Sequence, residues 1–414
     1  MQEEIKNNLS NPSQLEQLYR DNKSSFKKAF SQLYPEISNH LTAQVWHERL
    51  RHESSDISWG NKSELIVVIL LSLLGGFIAQ IPNFFNVSED FFYPRNITFV
   101  VFPMLTLYFA WKQSFSLKKS LILLGVFLLS ALYINLLPNN SDSHTLMLAS
   151  IHLPLFLWTV VGYSFTGSEY GNLQKRTSFL RYNGDLIILS AVIVIAIMIL
   201  FAITKGLFSL INIPIEKFYF DNIVIWELAA APIVATYLIQ TNPQLVKNVS
   251  PIIAKVFTPV VMLTVIAYLI AIVYTGKDPY NDREFLILIN FLLIGVMAII
   301  LFSVSETSKN NSGRFSFLML FILSSVTVII NGIALSAILF RLFEWGITPN
   351  RLAVVGSNML ILINLLMVTY RLFISLRDDS QRASVENSIA SFLPIYSGWA
   401  LIVAVVFPVA FSFI

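Results

Sequence analysis

Eleven long apolar stretches leave this 414-residue chain few folds to choose from. They run approximately over 64–82, 97–112, 118–137, 145–164, 185–209, 222–240, 253–275, 285–305, 315–341, 352–376 and 388–413. A helix needs ~20 mostly apolar residues to cross the ~30 Å hydrocarbon layer of a bilayer. The second stretch is short, and the ninth is long enough to require tilt. Turn residues separate them: Pro82-Asn83, Pro138-Asn139-Asn140, Asn183-Gly184, Asn242-Pro243, Lys277-Asp278-Pro279 and Thr348-Pro349-Asn350. Apolar runs joined in this way read as helical hairpins. A membrane barrel would show alternating segments of ~10 residues, and none occur. The expected fold is all-α, a polytopic transmembrane helical bundle of about eleven spans over residues 64–414.

Composition excludes several classes of function. Hydrophobic residues make up 55% of the chain and charged residues 13%. The charged share of a soluble domain is roughly 25%. A disordered chain, a nucleic-acid-binding module and an ordinary soluble enzyme are all excluded, so membrane lipid is the first expected partner and nucleic acid is not one. The absence of cysteine removes disulfides, thiolate metal sites and cysteine nucleophiles. No P-loop, Rossmann glycine fingerprint, HExxH or Gly-x-Ser-x-Gly is present, so no cofactor is expected.

Residues 1–63 are different. They are polar, and the first apolar stretch begins too late for a secretory signal. Leu15, Leu18, Tyr19, Phe26, Phe30 and Leu33 recur at helical spacing, as do Leu41, Val45, Trp46 and Leu50. The reading is a small cytoplasmic segment of amphipathic helices. It serves either as a cap on the membrane domain or as a docking site for a cytoplasmic protein partner. His47 and His52 are five apart, which breaks the four-residue spacing of a zinc-protease helix.

Charge sets an orientation. With the N-terminus in the cytoplasm, the inner loops carry thirteen Lys and Arg residues and the outer side carries seven. Positive residues favour the cytoplasmic side. Eleven spans then put the C-terminus in the periplasm.

Polar residues inside spans are costly and hint at function or specific packing. Glu227, Lys205 and Arg341 fall in outer halves of their spans, and His152, Asn331 and Asn364 near the middle. The inner halves read as mostly aliphatic. The bias implies either a polar vestibule open to the outside or interhelical hydrogen bonds. An unpaired Glu227 would be costly, so it is expected to pair with Lys205 on the neighbouring span or with Arg341.

Two outer loops are rich in chemistry. In Lys277-Asp278-Pro279-Tyr280-Asn281-Asp282-Arg283-Glu284, the carboxylates Asp278 and Asp282 are candidate ligands for a divalent cation, or caps for the next span. In Arg341…Glu344-Trp345-Gly346-Ile347-Thr348-Pro349-Asn350-Arg351, Arg341 and Glu344 can pair at i,i+3. Gly346 ends one helix, and Thr348-Pro349 starts the next. Arg95 and Asn96 add to the outer-side candidates.

Those two loops, with Phe92-Tyr93-Pro94-Arg95-Asn96, resemble an uncharacterised family of bacterial polytopic inner-membrane proteins (domain of unknown function family 4153). The Gly346-to-Arg351 loop is the most specific element, and the similarity extends from about residue 60 to the end. The resemblance implies the bacterial inner membrane and a multi-span architecture. It implies no activity, substrate, catalytic residue or oligomeric state.

Three functions fit these observations. One is a secondary transporter or ion pathway built on Glu227, Lys205 and Arg341. Another is an envelope scaffold or sensor with the N-terminal helices as its signalling end. The alternative is a membrane-embedded transferase acting on a lipid-linked substrate at the periplasmic face, with Glu89-Asp90 or Asp278 and Asp282 as base and metal ligands. The topology is testable first. A reporter active only in the periplasm should work when fused after Ile414 and fail after Lys175. The reverse pattern would invert the orientation.

Overall fold

The computed structural model describes residues 2–21, 23–52, 62–140, 142–210, 214, 216–242, 259, 262–263, 266, 270, 293, 295–300, 314–378 and 381–413. These are helical throughout, with no strand among the described residues. The chain divides into two compact units, Met1–Trp59 and Gly60–Ile414.

The first unit has four helices: α1 (Gln2–Asn7), α2 (Pro12–Asp21), α3 (Lys23–Ile37) and α4 (Leu41–His52). Even α3, at 15 residues, falls short of the ~20 needed to cross a bilayer. Leu15, Tyr19, Phe26, Phe30, Leu33 and Trp46 are buried together, as their spacing implied. Tyr19 meets Phe26 and Trp46 edge to face at 5.5 and 5.4 Å. Arg49 lies over Trp46 at 4.5 Å and forms an ion pair with Glu16. The periodicity misplaced two residues. Leu41 and Val45 face outward, because α4 turns Ala43 and Trp46 into the core instead.

The second unit is built from α5 (Lys62–Ala79), α6 (Ile81–Phe85), α7 (Glu89–Lys112), α8 (Leu117–Leu136), α9 (His144–Thr166), α10 (Leu173–Leu210), α11 (Glu216–Thr241), α12 (Arg314–Trp345), α13 (Pro349–Ser375) and α14 (Ser384–Ala410). Eight of these are long and apolar enough to cross a membrane: α5 and α8 to α14. The chain is thus a membrane-spanning protein. The expected spans at 253–275 and 285–305 fall largely outside the described residues.

Local chemistry sets the helix ends. Ser116, Ser143 and Thr348 cap α8, α9 and α13, each accepting a hydrogen bond from a backbone N–H three residues on. Gly346 follows α12 at φ +79°, a conformation that favours glycine. The α5, α7, α8, α9, α10 and α11 helices alternate in direction. One end of the unit therefore holds the start of α7 at Glu89, and the other holds its end at Lys112.

The exception to the apolar rule is α7. Its 24 residues extend about 36 Å at 1.5 Å per residue. It contains Arg95, Asn96, Pro94 and Pro103 and is less hydrophobic than its neighbours. It packs against α5, α8, α9 and α11, and half of its residues are buried. The neighbours shield it and turn their own aliphatic faces outward: Leu121, Leu128 and Leu132 on α8, and Ile187, Ile195 and Ile199 on α10. The helix least suited to lipid is the one most removed from it.

Two glycines allow close helix contact. A Cβ at Gly76 would stand 2.1 Å from the Trp226 ring, and one at Gly356 would stand 2.0 Å from Trp399. Gly356→Ala is expected to cost about 1–3 kcal/mol through overpacking. Thermal unfolding in detergent should show it, whereas an alanine at Gly125, which meets nothing within 4 Å, should leave the midpoint unchanged.

Candidate functional site

The richest polar cluster lies at the Lys112 end, where the sequence reads as aliphatic. Glu64, in the first turn of α5, accepts hydrogen bonds from Lys112 Nζ at 2.8 Å and from Tyr108 Oη at 2.7 Å. Tyr108 and Lys112 are one turn apart on α7 and so reach the same carboxylate. Beside them, Tyr182 of α10 meets Thr236 of α11 at 2.7 Å. Thr236 donates its proton to the Pro232 carbonyl at 2.8 Å, so Tyr182 is the donor to Thr236. Phe109, Phe165 and Tyr182 close the space with ring contacts of 5.0 to 5.2 Å. A second brace joins α10 to α14, where Arg181 pairs with Glu386 at 2.6 Å. The signal available for these groups was the Tyr108, Lys112 spacing and a lone acid in the first turn of a span.

The Glu89 end is held largely by amides, with one ion pair at its rim. Asn96 of α7 and Asn135 of α8 exchange hydrogen bonds at 2.9 and 2.7 Å, and each also donates to its own helix backbone. Arg95 is buried, donates to Asn139 at 3.1 Å, and lies over the Phe91 ring. Gln80 donates to the Asp221 carbonyl and accepts from Asn83. These bonds tie α7 to α8 and α5 to α11 at the Glu89 end.

Between α10 and α11 the same end is open. A groove of about 560 Å³ is lined by Phe201, Pro214, Glu216, Lys217, Phe220 and Asp221. Its floor is aromatic, with Phe201 meeting Phe220 at 5.9 Å. A smaller pocket of about 180 Å³ lies at the α7–α8 turn, lined by Gln113, Ser116 and Lys119 among others.

Glu227 does not pair as expected. The structure shows no ion pair between it and Lys205 or Arg341, and its Oε2 is buried with no hydrogen-bond partner. The reason is depth. Because α11 begins at Glu216, six residues before the apolar stretch, Glu227 lies about 16 Å from the helix start at 1.5 Å per residue. Lys205 is five residues from the end of α10, only about 8 Å in. It therefore meets the rim residue Glu216, at 2.6 Å.

The remaining candidates separate. Arg341 is buried over Trp345 at 5.3 Å, and Arg351 covers the same ring at 5.5 Å. Arg351 also donates to the Trp345 and Gly346 carbonyls at 2.7 Å each, closing the end of α12. No ion pair joins Arg341 to Glu344, which is exposed on the turn, and Asn350 sits in the first turn of α13. His152 bonds the Leu148 carbonyl of its own helix at 2.9 Å. Asn331 donates to the Asn358 carbonyl at 3.2 Å and Asn364 to Tyr396 Oη at 3.0 Å, and both are fully buried. Asp278, Asp282, Arg283 and Glu284 lie outside the described residues. Among the described residues no cluster of three or more His, Asp or Glu forms a metal site. No family model, curated protein or solved structure matches the chain.

The Glu64 cluster makes a direct prediction. Lys112→Met should cost stability toward the lower end of the about 3–5 kcal/mol seen for broken buried pairs, since the Lys112 side chain is partly exposed. Adding Glu64→Gln should restore part of the loss. A double-mutant cycle on unfolding in detergent reads the coupling.

Proposed function

We propose that this chain is a secondary-transport-like protein of the bacterial inner membrane, with an outward-facing groove and a braced cytoplasmic side. The reading takes eleven spans, a cytoplasmic N-terminus and a periplasmic C-terminus, with the Glu89 end outside. The thirteen-to-seven distribution of Lys and Arg supports that orientation. The likeness of its outer loops to the uncharacterised inner-membrane family supports the compartment. The helices α1 to α4 then lie in the cytoplasm, where a protein partner can dock.

One observation carries the transport reading: the two ends of the membrane unit are built oppositely. The Glu89 end is open between α10 and α11. At the Lys112 end, two ion pairs drawn from four helices and an aromatic plug fill the space. Alternating access needs a site open to one face and closed to the other, with bonds that exchange when the state changes. Ion pairs and ring contacts between different helices are bonds of that kind.

The cysteine-free sequence makes a clean test. Single cysteines are placed at Phe220 in the groove and at Ser164, which is fully buried near the Lys112 end of α9. In oriented vesicles, a membrane-impermeant maleimide should label the Phe220 site from the periplasmic side and leave the Ser164 site unlabelled. Breaking both braces with Glu64→Gln and Glu386→Gln should expose the Ser164 site to the cytoplasmic side and cut labelling at Phe220 severalfold. Labelling at Phe220 that is unchanged by the brace variants would mean a rigid bundle, and the scaffold reading would replace transport.

A further inference from the structure

We propose that Glu227 is a proton-binding site that exchanges with the medium through the groove between α10 and α11, which makes a proton the coupling species of this membrane unit. The inference deepens the transport reading and rests on it.

The geometry singles Glu227 out. It lies about 16 Å along α11, and its Oε2 is buried without a partner. The charged and titratable groups around it are otherwise engaged. From α10, Lys205 is held by Glu216. From α7, Arg95 is held by Asn139, and Tyr93 donates to the Ala79 carbonyl. The charged residues of α5 are Lys62 and Glu64, at the opposite end. Glu216, Lys217 and Asp221 stand at the rim of the groove.

Position connects the site to that rim. Phe220, Val224 and Glu227 follow one another along α11 at four- and three-residue spacing, and Phe220 lines the groove. The stretch between them, Phe220–Val224, is π-helical. Such turns inside α-helices recur at functional sites. A proton therefore has an acidic entrance at Glu216 and Asp221 and, about two turns further along α11, an acceptor whose Oε2 is buried without a partner.

The chemistry favours a proton over a metal cation. A lone carboxylate in hydrocarbon is unstable, and uptake of a proton neutralises it in place. A metal cation would need several oxygen ligands around it. Among the described residues no group of three or more His, Asp or Glu gathers at Glu227. Binding converts the carboxylate and a proton from the medium into a carboxylic acid. Release reverses this, with no electron transferred.

Infrared spectroscopy on the full chain in nanodiscs tests the site. The expected result is a carboxylic-acid carbonyl band that is lost in Glu227→Gln, shifts to the aspartic position in Glu227→Asp, and fades reversibly as the medium turns alkaline. The band should shift with deuterium when the medium is exchanged for heavy water. Absence of any Glu227-dependent acid band, in a variant that folds, would overturn the proposal. So would a band that neither titrates nor exchanges, which marks a static structural proton. A titrating, exchanging band upholds the site even if cysteine labelling shows a rigid bundle, so failure of the site and failure of transport are told apart.

Discussion

Hydrocarbon offers no hydrogen-bond partners, so a helix that carries polar side chains must find those partners within the protein. The α7 helix is where this constraint acts most strongly. Asn96 and Arg95 near one end and Tyr108 and Lys112 near the other each need a partner on a different helix. Satisfying them brings α8 to one end of α7 and α5 to the other. The close approach of α5 to its neighbours at Gly75 and Gly76 then allows α11 to pack beside it. The central position of α7 follows from these requirements rather than from its hydrophobicity, which is low.

The two ends satisfy the same constraint with different chemistry. Asn96 and Asn135 form a neutral amide pair in which donors and acceptors match. No charge is desolvated there, and the contact is as rigid as the helices that carry it. The Glu64 and Arg181 braces are charged, and they lie toward the ends of their helices, where the ends of long side chains can reach the interface. Charged hydrogen bonds are strong when formed and costly when half-broken. The charged braces at the Lys112 end are better suited to a change of partner than the Asn96–Asn135 pair at the other end. Glu227 is outside both schemes. Its Oε2 lacks a partner in a unit where the carboxylate of Glu64 accepts two hydrogen bonds, and that is what marks it.

Much of the architecture was readable in the sequence, because helix formation in a membrane is a local matter. Apolar length set the helices, and Ser116, Ser143, Thr348 and Gly346 set their ends without reference to the rest of the fold. The aromatic spacing of Tyr19, Phe26 and Phe30 was enough to anticipate a separate helical core before residue 60. Arg95 and Asn96 stood out as outer-side candidates just ahead of the apolar stretch that begins at 97.

Partner choice was not readable in this way, because it depends on how far each helix extends and which face it turns. Lys205 and Glu227 seemed level only while α11 was taken to begin at its apolar stretch. The extra turns from Glu216 moved Glu227 inward and gave Lys205 a nearer acid. Glu64 and Lys112 lie 48 residues apart and meet only because α5 and α7 run antiparallel. The sequence by itself determined that this chain is helical, membrane-spanning and cysteine-free, since those properties follow from composition and local pattern. The tertiary structure alone decided which charges are braced, which amides are paired and which carboxylate stands alone, since these depend on depth and facing between segments that the chain brings together from far apart.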